Sequence, residues 1–409
     1  MGYHEKEWWV SPANYESEVA AKFEFAPKIE ILDTTLRDGE QQPRVVFSRQ
    51  DKVKIAKKLD AMGVHRIEAG NAVVSSEDAD AIKEICSSGL KAEIYSFTRN
   101  VVKDIELAKA CGVDGVLCEV PGSEHMLDKG MKWTVEKAVK AARETTAAAH
   151  ELGLKVTFFP ADGSRASLPF LLDTLEAITD GGHLDAVALV DTFGTFSPEG
   201  AAYTVRKLKE RLNKPVEAHF HEDFGLSVAT TLAALQAGAS VAHVTVNGIG
   251  ERTGNTPIEP LIVALKCLYG VDTGIDTEKM LELSREVAAL CNMQIPPTKA
   301  IVGEQIFGWE TGMPVGMWKN CRDENPLVML PYLWTMTGQR EPYIYTGKKS
   351  GAANILLVAE ELGIDLPEDC IKPLNAKIKD MAIEKKRDIT REEFAELAES
   401  VVRSRGKEV

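Results

Sequence analysis

Along residues 28–268, short apolar runs of strand character alternate eight times with longer segments whose apolar residues recur every three or four positions. The strand candidates are Lys28–Leu32, His65–Ala69, Lys91–Phe97, Asp114–Val120, Lys155–Phe159, Ala186–Val190, Pro215–Phe220 and Ser240–Val246. Between them, Arg49–Met62, Ser76–Cys86, Thr134–Glu151 and Leu226–Ala237 carry the helical spacing. This rhythm predicts an α/β protein with a parallel sheet covered on both faces, and eight units fit a closed (β/α)8 TIM barrel. Residues 1–27, with Trp8, Trp9 and Tyr15, read as an arm packing on the barrel or on a second subunit. The barrel itself is expected over 28–285. After 285 the rhythm stops: Pro296-Pro297 marks a break, Gly308–Tyr345 reads as irregular, and Ala352–Gly363, Pro373–Glu384 and Thr390–Arg405 read as helices of a small C-terminal subdomain over 286–409, a lid or dimer region.

A TIM barrel keeps its chemistry at the C-terminal ends of its strands, and three of those ends are polar. Strand one runs into Asp33-Thr34-Thr35-Leu36-Arg37-Asp38-Gly39-Glu40-Gln41, strand seven ends in His219-Phe220-His221-Glu222-Asp223, and strand eight leads to Asn247-Gly248-Ile249-Gly250-Glu251-Arg252-Thr253-Gly254-Asn255. Residues two apart on a strand point to one side, so His219 and His221 can offer two imidazoles to one cation. Barrel closure brings strand one beside strand eight, so Asp38 can add an oxygen and Asn255 another. Two His and a carboxylate leave coordination positions open, as a catalytic site requires. Nitrogen and oxygen donors suit one divalent ion such as Zn, Mn, Fe, Co or Ni. The competing reading is two polar side chains at a strand end.

The same segments, with Ile67-Glu68-Ala69-Gly70 and Asp191-Thr192-Phe193-Gly194, resemble the DRE-TIM metallolyases. That family includes 2-isopropylmalate, homocitrate and citramalate synthases, with 3-hydroxy-3-methylglutaryl-CoA lyase as a relative. The resemblance spans about residues 28–355. It implies that Asp38, His219 and His221 hold the metal, with Asn255 as a further ligand and Mg among the candidate ions. It also implies that Arg37 polarises a carbonyl or enolate oxygen and that Thr192 holds a 2-oxo acid carboxylate. The implied reaction condenses an acyl-CoA, acetyl-CoA foremost, with a 2-oxo acid. The loop after strand eight lacks the cysteine of the lyase branch, which favours synthesis. A carbon–carbon lyase or aldolase, and a catalytically silent metabolite-binding relative, are the alternatives.

Two departures from the family stand out. Its catalytic His is replaced in Gly303-Glu304-Gln305-Ile306-Phe307-Gly308-Trp309-Glu310-Thr311-Gly312-Met313-Pro314, and no His occurs after His243. On strand five, Ala161 stands at the usual Glu position, before Asp162. Gly347-Lys348-Lys349-Ser350-Gly351 still matches the family's turn. Glu310, beside Trp309, becomes the leading replacement base, with Glu304, Lys319 and Tyr345 behind it; surface or packing roles are the plain alternative for each. At the mouth, Glu68, Arg99 and His125 are candidate substrate contacts, although His125 reads more simply as a solvent-facing loop residue. His243 reads as a residue of the barrel interior.

A net charge of −14 argues against nucleic acid or an acidic membrane as partner. The seven cysteines are scattered and odd in number, which points to free thiols in a reducing cytoplasm. No long apolar stretch or cleavable signal appears. The tail is too short for the regulatory domain of leucine-inhibited synthases, and a homodimer is expected.

Overall fold

The computed structural model describes residues 2–405 and divides into two compact units. One runs from Pro12 to Ile295; the other joins the residues up to Ser11 with those from Pro296 onward.

The first unit is a closed barrel of eight parallel strands in sequence order. The strands are β1 (Glu30–Asp33), β2 (Arg66–Glu68), β3 (Glu93–Arg99), β4 (Gly115–Pro121), β5 (Lys155–Ala161), β6 (Ala186–Asp191), β7 (Val216–Phe220) and β8 (Val241–Val244). Closure is direct, with Glu30 through Asp33 of β1 in register with Val241 through Val244 of β8. Helices start where the sequence supplies caps. Ser48 and Asp51 form a capping box ahead of Arg49–Met62, and Thr134 accepts from the Lys137 amide ahead of Val135–Glu151. Inside the barrel, Leu32, Tyr95, Phe97, Leu117, Phe159 and Val190 form a buried apolar cluster.

Polar side chains are also buried within the barrel. Glu217 on β7 accepts from Arg66 at 2.8 Å, meets His243 Nε2 at 2.8 Å and accepts from Thr157 at 3.2 Å. Burial opposes ionisation of this carboxyl, yet its contacts with His243 and Arg66 hold it below the usual carboxylate range. His243 thus occupies the barrel interior, as its place on strand eight suggested. Lys52, almost fully buried, ties Glu40 of the loop after β1 to Asp78 of the helix Ser76–Cys86.

The second unit has its own core, including Phe307, Val315, Trp318, Ile355, Leu374 and Phe394. Its helices are Gly312–Cys321, Ala352–Glu361, Glu368–Lys385 and Arg391–Arg405, and a two-stranded parallel sheet pairs Gly308–Trp309 with Tyr343–Ile344. The segment expected to be irregular therefore contains a helix and a sheet. Gly312, Pro314 and Gly316 mask that helix's periodicity, although Pro314 lies in its first turn, where a missing N–H costs nothing. The third helix starts five residues before Pro373 and tolerates it internally.

The N-terminal arm also differs from expectation. Residues 2–11 belong to the second unit: the Trp9 amide donates to the Pro331 carbonyl at 3.0 Å and the Leu333 amide to that of Glu7 at 2.8 Å. Residues 12–27 remain on the barrel unit, where the Tyr15 hydroxyl donates to the Cys267 carbonyl and Phe23 and Phe25 pack on Tyr269. The barrel unit continues through the amphipathic helix Met280–Leu290 to Ile295, ten residues past the expected end. All seven cysteines are free thiols, five of them buried. Among the described residues no helix is long and apolar enough to cross a membrane.

Candidate active site at the barrel mouth

The loop after β1 folds back on itself. The amides of Arg37, Asp38 and Gly39 all donate to the Thr34 carbonyl, which leaves Arg37 and Asp38 buried at the mouth. Gly39 packs closely there, since a Cβ would come within 2.9 Å of the Ile249 side chain, which would have to shift. On the other side, His219 lies on β7 and His221 just beyond it, bridged to Asn255. Gly254 precedes Asn255 with φ +94°, and a side chain there would overlap the Gly248 carbonyl oxygen.

Asp38, His219 and His221 each present a ligand atom within 4.8 Å of the others, and all three are buried. Nε2 of His219 is 3.2 Å and that of His221 3.9 Å from Asp38 Oδ2. Burial pushes the His219 imidazole down to about 3 and lowers that of His221, so both are neutral and keep a lone pair for a cation. Asp38 stays ionised: burial opposes this, but the Arg37 charge and the His219 contact hold its carboxyl well below the usual range. Asn255 Nδ2 donates to the Ile249 carbonyl, while its buried Oδ1 meets no donor among the described residues. An orphaned oxygen at this depth costs about 1–3 kcal/mol. Two neutral imidazoles, a carboxylate and this oxygen fit a divalent cation.

Arg37 lies beside the cluster. Its Nε is 2.8 Å from Glu68 Oε1, its Nη1 is 3.4 Å from Asp38 Oδ2, and its guanidinium rests 4.5 Å from the Phe97 ring centroid and 5.7 Å from that of Phe159. Nη2 is buried and has no acceptor among the described residues. Burial raises the Glu68 carboxyl to about 7, against the pull of Arg37. A cavity of about 660 Å³ opens beside Arg37 and Phe97, bordered by Gln41, Phe47, Asn71 and Val74.

The other sequence candidates separate on inspection. The half-buried Thr192 accepts the Asp162 amide at 2.7 Å through its hydroxyl, which keeps its proton for a further acceptor. His125 Nε2 sits 2.8 Å from Asp162 Oδ2, beside Ser123, although its ring is half exposed. Arg165 grips the same Asp162 carboxylate through two nitrogens. Arg99, at the end of β3, donates to the Asp104 carboxylate of the next helix at 2.8 and 3.0 Å, and its side chain is largely exposed. Glu310 lies in the second unit, where its carboxylate accepts from the Lys349 amide at 2.9 Å and anchors the turn of Gly347–Gly351. The Trp309 ring packs on Trp318, with centroids 5.3 Å apart. The sequence reading missed Glu119 on β4 and the Arg165–Asp162 pair. A lone charge in the apolar run Gly115–Val120 was the available signal for Glu119.

Residues 28–287 match the HMGL-like family. The chain belongs to that family. Among its relatives, homocitrate synthase AksA of Methanothermobacter thermautotrophicus is 39% identical over 362 residues, 88% of this chain and 90% of that protein. (R)-citramalate synthase CimA of Methanocaldococcus jannaschii is 39% identical over 353 residues, 86% of this chain and 70% of that one. A probable 2-isopropylmalate synthase of Ignicoccus hospitalis is 37% identical, covering 95% of this chain and 97% of that protein. The fold is that of the Bacillus subtilis HMG-CoA lyase, with TM-score 0.60 and 19% identity over 66% of this chain and 96% of that one. The HMGL-like match thus covers the strand ends that carry Arg37, Asp38, His219 and Asn255.

Proposed function

We propose that this protein is a divalent-metal-dependent condensing enzyme. It joins an acyl-CoA, acetyl-CoA by preference, to a 2-oxo acid and, with water, releases CoA and a 2-hydroxy, alkylmalate-type acid. The observation that carries this reading is the buried Asp38–His219–His221 cluster with Arg37 Nη2 left free beside it. The relatives, named for synthesis of homocitrate, citramalate and isopropylmalate, support the same reaction class.

Asp38, His219, His221 and Asn255 would hold the cation, with Zn, Mn, Mg, Co and Fe all compatible with these donors. A divalent ion there supplies Lewis acidity to the oxo acid's carbonyl. Arg37 donates from Nη2 to the oxygen that gains charge on attack. Thr192 offers its hydroxyl proton to the acid's carboxylate, and Phe97 and Phe159 wall the position against water. Glu68 fixes the guanidinium plane through Nε. The loop after β8 reads Glu251-Arg252-Thr253 and carries no cysteine, which favours condensation over cleavage. Scattered cysteines, none of them joined in a disulfide, support a reducing cytoplasm as its compartment.

Thiol release measured across a panel of acyl-CoA and 2-oxo acid pairs, with each divalent metal added, tests the proposal. One pair should turn over in a metal-dependent manner and give a 2-hydroxy acid that carries the added carboxymethyl or substituted carboxymethyl group. Cleavage of hydroxy-acid thioesters with no condensation of any pair would overturn it.

A further inference from the structure

Condensation needs a group to accept the acyl-CoA α-proton, a requirement that rests on the function proposed above. The segment of the second unit where the family resemblance expects a histidine carries Trp309 and Met313 or Pro314 instead, and Glu310 is engaged by the Lys349 amide. At the barrel's C-terminal face most carboxylates are engaged as well. Asp33 accepts from the Thr35 amide, Glu68 pairs with Arg37, Asp162 with Arg165, Asp191 with the Thr195 and Phe196 amides, and Asp223 with Arg252.

Glu119 is different. It lies near the C-terminal end of β4, two residues beyond Leu117, whose side chain belongs to the buried interior cluster. Strand alternation therefore aims Glu119 at the same interior side, one layer higher, at the mouth. Its register partner on β5 is Phe159, whose ring lies 4.8 Å from that of His219 and 5.7 Å from the Arg37 guanidinium carbon. Among the described residues no hydrogen bond or ion pair engages its carboxylate, and it is only half buried, so a substrate can reach it.

We propose that Glu119 is the general base of this enzyme. The α C–H bond of the acyl-CoA breaks and its proton passes to a Glu119 oxygen. The freed electron pair forms the new bond to the keto carbon, and the carbonyl π pair moves to oxygen beside Arg37. That oxygen then takes up a proton, which Glu119 can return. Water finally cleaves the C–S bond, leaving the carboxylic acid and the CoA thiol. Burial raises the Glu119 carboxyl above its ordinary value, with Arg37 opposing, and this brings the base nearer the operating pH.

The test uses the full-length, metal-loaded protein with a pair that the wild type condenses. Glu119→Gln should lower kcat by about 10²–10⁴-fold, the range for a positioned base, while metal content and the Kd of the 2-oxo acid stay as in wild type. Glu119→Ala should be equally slow and regain turnover when formate is added, since a small carboxylate can occupy the vacated space. Turnover of Glu119→Gln within about fivefold of wild type overturns the inference, as does a slow Glu119→Ala that loses metal or oxo acid affinity and is not rescued by formate. If the wild type condenses no pair, it is the proposed function that fails.

Discussion

The two units carry the family's features to different degrees. At the barrel mouth the polar segments after β1, β7 and β8 converge on one buried cluster, and two of its neighbours, Asn255 Oδ1 and Arg37 Nη2, have no partner among the described residues. In the second unit the fold is supported by an apolar core and by the Gly347–Gly351 turn, but Trp309 stands where a titratable ring was expected and is packed on Trp318. Buried polar atoms left without partners cost stability, and a ligand that satisfies them is one way to offset that cost. An aromatic ring in a core has no such debt to a ligand. Proton transfer and architecture can therefore part company within one chain: Asn255 Oδ1 and Arg37 Nη2 lie beside a donor set suited to a cation, whereas the unpartnered Thr346 Oγ1 and Asn375 Oδ1 of the second unit have no such set among the described residues.

Removing the cluster should produce the largest effect. The wild type should purify with a divalent ion, and a His219→Ala, His221→Ala double variant is expected to lack it and to show no metal-dependent thiol release. Metal analysis of both proteins decides it, and equal metal content would place the cation elsewhere.

Next comes the ionic network deeper inside the same barrel. Glu217→Ala strips Arg66 and His243 of their shared carboxylate, and breaking such a buried network costs about 3–5 kcal/mol. Urea denaturation should show that loss while the folded fraction keeps its metal. A loss of metal without loss of stability would mean that the two clusters are not separable.

Arg37→Ala should affect catalysis more than folding. With the guanidinium gone, Glu68, whose carboxyl is already raised to about 7, becomes protonated at neutral pH, which limits the cost of its burial. Turnover should fall about 10²–10³-fold, as for removal of one oxyanion donor, with metal content unchanged. Unchanged turnover would make Arg37 a purely structural partner of Glu68.

Much of the barrel was legible because its signals are local and periodic. All eight strands fall within a few residues of the apolar runs, and the His219-Phe220-His221 spacing places both imidazoles on one face of a strand. What stayed hidden depends on long-range partners. Alternation places Arg99 at the mouth, but it cannot reveal that Asp104 will capture its guanidinium. The segment Gly2–Ser11 has no periodicity of its own, and its place is fixed by backbone pairing with residues 331–333, far along the chain. Glu119 was visible only as one charge in an apolar strand, and its significance depends on which neighbouring carboxylates are already bonded.

The smallest effect is expected at Glu310. Its carboxylate accepts one backbone N–H, from Lys349, and its own carbonyl accepts from Asn354 Nδ2 at 2.8 Å, so the residue joins the start of the helix Gly312–Cys321 to the turn before the helix Ala352–Glu361. Glu310→Gln keeps an acceptor oxygen but loses the charge that strengthens the bond. The cost should therefore be about 1 kcal/mol, within the range for a single hydrogen bond, and turnover should stay within about threefold of wild type. Thermal denaturation and steady-state thiol release on the same preparation measure both. A fall in kcat of about 10² or more at unchanged stability would move proton transfer from Glu119 on the barrel to Glu310 in the second unit, and the division drawn between the two units would then be wrong.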